Sequence, residues 1–201
     1  MNAQLALAGY LLYLGLAFGA RTVIQIRRTG STGFHGLGGR IFSAEWSAGV
    51  LFAVALAMGF GAPLLDLAGV LDPIRALDSG AVHVVGGALF LLGLIATLIG
   101  QMTMGVSWRI GVDHSERTEM VTGGPFGLVR NPIFSAMIPT SLGLVLLVPN
   151  PLAVVGLLAL VVALELQVRV VEEPYLLSTH GATYAEYTSR VGRFVPGIGR
   201  R

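Results

Sequence analysis

Three stretches of the chain hold residue types and spacings that can do chemistry. Thr118-Glu119-Met120-Val121 runs into Thr122-Gly123-Gly124-Pro125-Phe126, where paired glycines before a proline let backbone approach a ligand without side-chain obstruction. Arg130-Asn131-Pro132-Ile133-Phe134 reads as a helix start, with Asn131 as N-cap and Pro132 at the first helical position. The exposed amides of that first turn can receive an anion or a carboxylate. Farther on, Arg169 precedes Glu172 and Glu173 by three and four residues, so an α-helix brings the arginine beside either carboxylate. Each stretch also has a plain structural alternative: a loop, a cap and an interfacial ion pair.

Other polar groups fit the same end of the chain. Glu165 lies a turn or more inside an apolar run, where an unpaired charge is costly. It is expected to face the bundle interior, to be protonated, or to hydrogen-bond a neighbouring helix. Tyr184 and Tyr187 are three apart and share a helical face, as pocket lining or, the favoured reading, as an interfacial aromatic belt. His35 and His114 have no partner at ligand spacing and the chain has no cysteine, so no metal site is expected. Neither a Ser-His-Asp set nor a phosphate loop nor a dinucleotide fingerprint is present.

The elements that must position these residues are membrane helices. Of the 201 residues, 54% are hydrophobic and only 12% charged, against about 25% charged in soluble domains. Such a chain cannot cover itself with a water-facing surface, which excludes a soluble enzyme, a nucleic-acid binder and a disordered chain. Five apolar stretches approach the roughly 20 residues that a bilayer core requires: the N-terminus to Ala20, Trp46 to Leu65, Gly80 to Trp108, Pro132 to Val148 and Pro151 to Val168. The first lacks a positive leader and is followed directly by arginines, so it reads as a retained helix. The last two, joined by Pro149-Asn150-Pro151, form a tight hairpin.

All 13 basic residues are arginine, and twelve fall after stretches one, three and five, leaving Arg75 alone on the other side. That bias puts the N-terminus outside and the long loops and C-terminal tail in the cytoplasm. The fold expected is all-α: an integral membrane protein of about five transmembrane helices, with a helix 4–5 hairpin and a C-terminal cytoplasmic helical tail. Residues 1–104 form the N-terminal helices, and residues 105–201 the region where chemistry is concentrated.

In order, Val121-Thr122-x-Gly124-Pro125-Phe126, Arg130-Asn131-Pro132-x-Phe134, Glu172-Glu173, Gly181-x-x-Tyr184-x-x-Tyr187 and Arg193-Phe194-x-Pro196 resemble the isoprenylcysteine carboxyl methyltransferase family and its bacterial integral-membrane relatives. Phospholipid N-methyltransferases are more distant cousins. The resemblance covers about residues 105 to 197. It implies S-adenosylmethionine as cofactor, held by Thr118, Glu119, Met120 and Val121, by Phe126, by Asn131, Pro132, Ile133 and Phe134, and by Glu172. Arg169 is nearest the family's substrate-orienting arginine, about one residue out of register. Asn131 stands where the family commonly has histidine, and Phe126 and Phe134 lack tyrosine's hydroxyl.

The function implied is methyl transfer to a lipophilic acceptor drawn from the bilayer, a carboxylate being one candidate. Arg169 or Arg130 would hold an anionic acceptor. Glu173 or Glu165 would be the base for a phenol, thiol or amine. Lipids and a lipophilic substrate are the expected partners, with no nucleic acid and no metal. Two alternatives stand beside this: a membrane reductase of the steroid 5α-reductase type, and a non-enzymatic membrane protein. The reductases follow the Asn-Pro pattern with an aromatic-x-Gly-Glu, whereas here Phe134 is followed by Ser135-Ala136-Met137.

Overall fold

In a computed structural model, which describes residues 2–34, 38–109 and 120–201, every regular element is helical. Helix α1 (Asn2–Thr29) runs well past Ala20, and its Gly15–Ala20 turn is wound as π-helix. It ends on Gly30, whose φ of 76° is the left-handed conformation that glycine adopts without steric cost. Helix α2 (Ala44–Leu67) starts on Ser43, whose hydroxyl accepts from the Trp46 amide, and α3 (Gly80–Met104) starts on Ser79 in the same way. Helix α4 (Pro132–Leu147) and helix α5 (Pro151–His180) are joined by the expected hairpin. Asn150 makes that turn: fully buried, it caps α5 through Ala153 N and donates its amide to Ala62 O. A short helix α6 (Ala182–Arg190) follows.

Four helices, α1, α2, α3 and α5, are long and apolar enough to cross a membrane. Of the about five transmembrane helices expected, α4 is the shortest. Its 16 residues reach only about 24 Å, short of a hydrocarbon core of about 30 Å. Helix α4 sits against α3, α5 and α1, so neighbouring helices rather than lipid cover much of it. The strap before it, residues 120–131, is tied to the C-terminal tail: Arg130 N donates to Gly192 O and Asn131 N to Arg193 O.

Helices α3 and α4 pack closest, and glycines set the distance. Gly86, Gly93 and Gly100, spaced seven apart, face α4, and a Cβ on Gly93 would fall 2.8 Å from Thr140 N. From the other side, a Cβ on Gly143 would fall 2.5 Å from Phe90 N. Removing side chains lets two membrane helices touch backbone to backbone, where dispersion rather than water supplies the attraction.

Contacts also order the ends. Asn2 Nδ2 meets His83 Nδ1 at 2.7 Å and Ile74 N donates to Pro149 O, which groups the α1 start, the 68–79 loop and the hairpin turn at one end. At the other end Arg21 bonds Gly105 O and lies over the Trp108 ring, and Gln25 donates to Val106 O. The loops after α1 and α3 and the segment after α5 share this second end, with every described arginine except Arg75. A bundle built this way is a multi-pass membrane protein.

Candidate active site

Between the second ends of α1, α2, α3, α4 and α5 lies a cavity of about 400 Å³. Its mouth is polar, built from the strap before α4, the π turn of α5 and helix α6. Its depth is apolar, walled by Phe18, Phe52, Leu56 and Met137. Residues from both sides of position 104 wall this cavity.

Most residues expected to hold the cofactor line it. Met120, Val121, Phe126, Asn131, Pro132, Ile133, Phe134 and Glu172 all do. Thr118 and Glu119 lie outside the described residues. Gly124, at φ 57°, turns the strap into the 3-10 turn Gly124–Gly127 and sets Phe126 inward. Tyr187 locks that turn by donating its hydroxyl to Phe126 O at 2.6 Å.

Asn131 departs from the expected N-cap. Its φ of −125° and ψ of 61° turn the side chain away from the helix amides, and Nδ2 donates to Arg193 O at 3.2 Å instead. Asn131 thus makes no side-chain cap bond to α4. Its first-turn amides therefore keep their donors and the helix-dipole charge at a wall of the cavity.

Glu172 enters the cavity because α5 changes its winding. Residues Gln167–Glu172 form a π-helix, which closes i→i+5 rather than i→i+4. Gln167 and Glu172 consequently share a face, both line the cavity, and Gln167 Nε2 donates to Glu172 Oε1 at 3.2 Å.

All three residues of the expected catalytic trio are held in ion pairs. Arg169 does not reach Glu172 or Glu173; it pairs back with Glu165 on the exposed face of α5, and neither lines the cavity. Glu165 is thus neither turned into the bundle nor unpaired. Glu173 is buried, and both of its oxygens are taken by guanidinium groups: Arg130 at 2.8 Å, Arg193 at 2.7 and 3.0 Å, and Arg201 at 3.2 Å. A carboxylate so occupied is a counter-ion that pins the tail to the bundle, not a proton acceptor. Arg130 touches the cavity wall, but its guanidinium also donates to Thr188 O, Val191 O and Gly199 O, which leaves it committed to the fold.

Tyr184 and Tyr187 are buried cavity residues, not an interfacial belt. Burial pushes both phenols up to about 12, so both stay neutral at physiological pH. Six residues that the motifs did not single out also line the cavity: Tyr13, Glu45, Thr97, Gln101, Trp108 and Arg109. The signal available was Thr97 and Gln101, two polar residues one helical turn apart in an apolar run.

A roofed cavity at one end of a membrane helix bundle, polar at the mouth and apolar in depth, defines the class of protein. A model of the phospholipid methyltransferase family matches residues 81–183, half of the sequence, and the chain belongs to that family. It is 28% identical over 115 residues to protein-S-isoprenylcysteine O-methyltransferase B of Arabidopsis thaliana; the match takes in 56% of this chain and 58% of the length of that relative. Its fold is similar to that of the eukaryotic intramembrane Ras methyltransferase, an isoprenylcysteine carboxyl methyltransferase, with a TM-score of 0.63 at 19% identity over 99% of this chain and 69% of the other. The resemblance read from the motifs is borne out. The reductase alternative finds no support in these relatives.

Proposed function

We propose that the chain is an S-adenosylmethionine-dependent methyltransferase that modifies a lipophilic acceptor. The observation that carries the reading is one cavity whose mouth has the donor set for a zwitterionic nucleoside and whose inner walls are largely apolar. At the mouth, the uncapped α4 amides suit a carboxylate. The Glu172 carboxylate, held by Gln167, suits an ammonium or ribose hydroxyls. Val121, Phe126, Ile133 and Phe134 offer apolar contact to a base.

When bound, the cofactor supplies an electrophilic methyl group whose transfer breaks its carbon–sulfur bond and leaves a neutral thioether. The protein's part is alignment of the two reactants, which can supply most of the rate in such a displacement, and exclusion of water by the strap and α6. The apolar depth, between α2 and α4, receives the acceptor from the bilayer. The arginine-rich end faces the cytoplasm of a cell membrane and the N-terminus faces out, in keeping with the arginine bias.

The test is a thermal-shift series in detergent with S-adenosylmethionine, S-adenosylhomocysteine and NADPH. A ligand that binds only the folded state raises the unfolding temperature. The two adenosyl compounds are expected to do so and NADPH is not; the opposite pattern would restore the reductase reading.

A further inference from the structure

On the α1–α3 side of the cavity, three polar side chains interrupt the apolar lining. Tyr13 on α1 and Thr97 and Gln101 on α3 are only 3%, 1% and 3% exposed, and all three line the cavity. Thr97 and Gln101 lie one turn apart on the face of α3 that meets α1, where Gln101 Nε2 donates to Ala17 O at 2.8 Å. The Tyr13 hydroxyl lies beside Thr97 without hydrogen-bond geometry. Among the described residues, Tyr13 OH, Thr97 Oγ1 and Gln101 Oε1 have no hydrogen-bond partner.

Three unsatisfied buried polar atoms at membrane depth are expensive unless something fills the recess. The chemistry of the set restricts what that is. With its amide nitrogen committed to Ala17, Gln101 presents only an acceptor oxygen, which needs an O–H or N–H opposite it. The two hydroxyls can each donate or accept. No cationic side chain belongs to the trio, so a carboxylate placed here would meet a carbonyl lone pair and no counter-charge.

The recess also sits at the right depth. Gly100, next to Gln101, brings α3 against the first turn of α4: a Cβ there would fall 2.9 Å from Ile133 Cγ1. We infer that Tyr13, Thr97 and Gln101 form a specificity recess that binds a neutral hydroxyl or N–H group on the lipophilic acceptor. This rests on the methyltransferase reading for the word acceptor, but not for the recess itself. It selects alcohols, phenols and amides over carboxylates and over molecules with no donor.

The test uses the full chain in detergent micelles and three probes of one chain length: 1-tetradecanol, 1-methoxytetradecane and tetradecanoate. The wild type is expected to bind the alcohol about tenfold more tightly than the ether, because the ether leaves the Gln101 carbonyl unsatisfied. In the near-isosteric variant Gln101→Met, which removes that carbonyl, the alcohol-to-ether ratio is expected to fall toward one, whereas Tyr13→Phe/Thr97→Val weakens both probes and keeps the ratio, with S-adenosylhomocysteine binding unchanged in each. Equal affinity for alcohol and ether in the wild type, tightest binding of tetradecanoate, or a ratio unmoved by Gln101→Met would each overturn the recess. Wild-type discrimination without S-adenosylhomocysteine binding would instead overturn the cofactor reading and leave the recess standing.

Discussion

Gln167 Nε2 donates to Glu172 Oε1 at 3.2 Å although the two residues are five apart in one helix. On a regular α-helix that spacing places side chains well apart in angle, since only positions three and four apart are neighbours. The π turn between them adds a residue to the turn, and the pair becomes a single acidic face directed into the cavity. A second π turn, at Gly15–Ala20, flanks the same cavity from α1 through Phe18. Such turns are common at functional sites because they re-aim side chains without breaking the helix.

Removing Val170, an exposed residue within the α5 turn, should let the helix rewind regularly. Gln167 and Glu172 are then four apart, neighbours on a regular α-helix, so Glu172 keeps its place at the cavity and Glu173 its arginines. Both S-adenosylhomocysteine binding and folding are expected to survive the deletion. Loss of binding by calorimetry would mean that the π winding itself, beyond the facing it gives Glu172, is needed.

Glu172→Gln keeps the shape of the side chain and removes its charge. Loss of a charge-assisted hydrogen bond costs about 1.5–3 kcal/mol, so S-adenosylhomocysteine affinity should fall by about 10- to 100-fold, while the unfolding temperature of the ligand-free protein changes little. Calorimetric titration in detergent measures the first and a thermal scan the second.

Glu173→Gln should do the reverse. It strips the counter-charge from Arg130 and Arg193, both buried, and breaking one member of a buried ion network costs about 3–5 kcal/mol. A large drop in unfolding temperature is expected, with the pH dependence of turnover in the surviving protein unchanged. A shifted pH profile would return Glu173 to the role of a base.

Arg169→Ala tests the converse. An exposed i,i+4 pair with Glu165 contributes about 0–1 kcal/mol, so neither stability nor cofactor affinity should move appreciably. A selective rise in the KM for an acidic acceptor would show that Arg169 meets substrate after all.

Gly143→Ala should be among the most damaging small changes in the bundle. Its added methyl would sit 2.5 Å from Phe90 N, backbone that cannot step aside, and overpacking of this kind costs about 1–3 kcal/mol. Gly87→Ala is the control, since a Cβ there meets nothing nearer than 3.8 Å.

The helices, their order and the sidedness of the arginines were legible in the sequence, because hydrophobic burial and the positive-inside bias act on local composition. The strap and the Asn131-Pro132 helix start were legible too, since turn chemistry depends on neighbours in the chain. Periodicity reasoning failed where the helix itself changes period: it sent Arg169 to Glu172 and Glu173, whereas Arg169 pairs back with Glu165 at the ordinary i,i+4 spacing and the π turn gives Glu172 to Gln167. It also failed wherever partners come from far away. Glu173 became a counter-ion only because the tail folds back Arg193 and Arg201, and Tyr184 and Tyr187 became cavity walls only because Phe126 lies beneath them. Local composition therefore determined that this is a membrane helix bundle with polar chemistry at one end. Which carboxylate faces the cavity, and which merely holds the bundle together, was decided by winding and long-range contact, which no single stretch of sequence encodes.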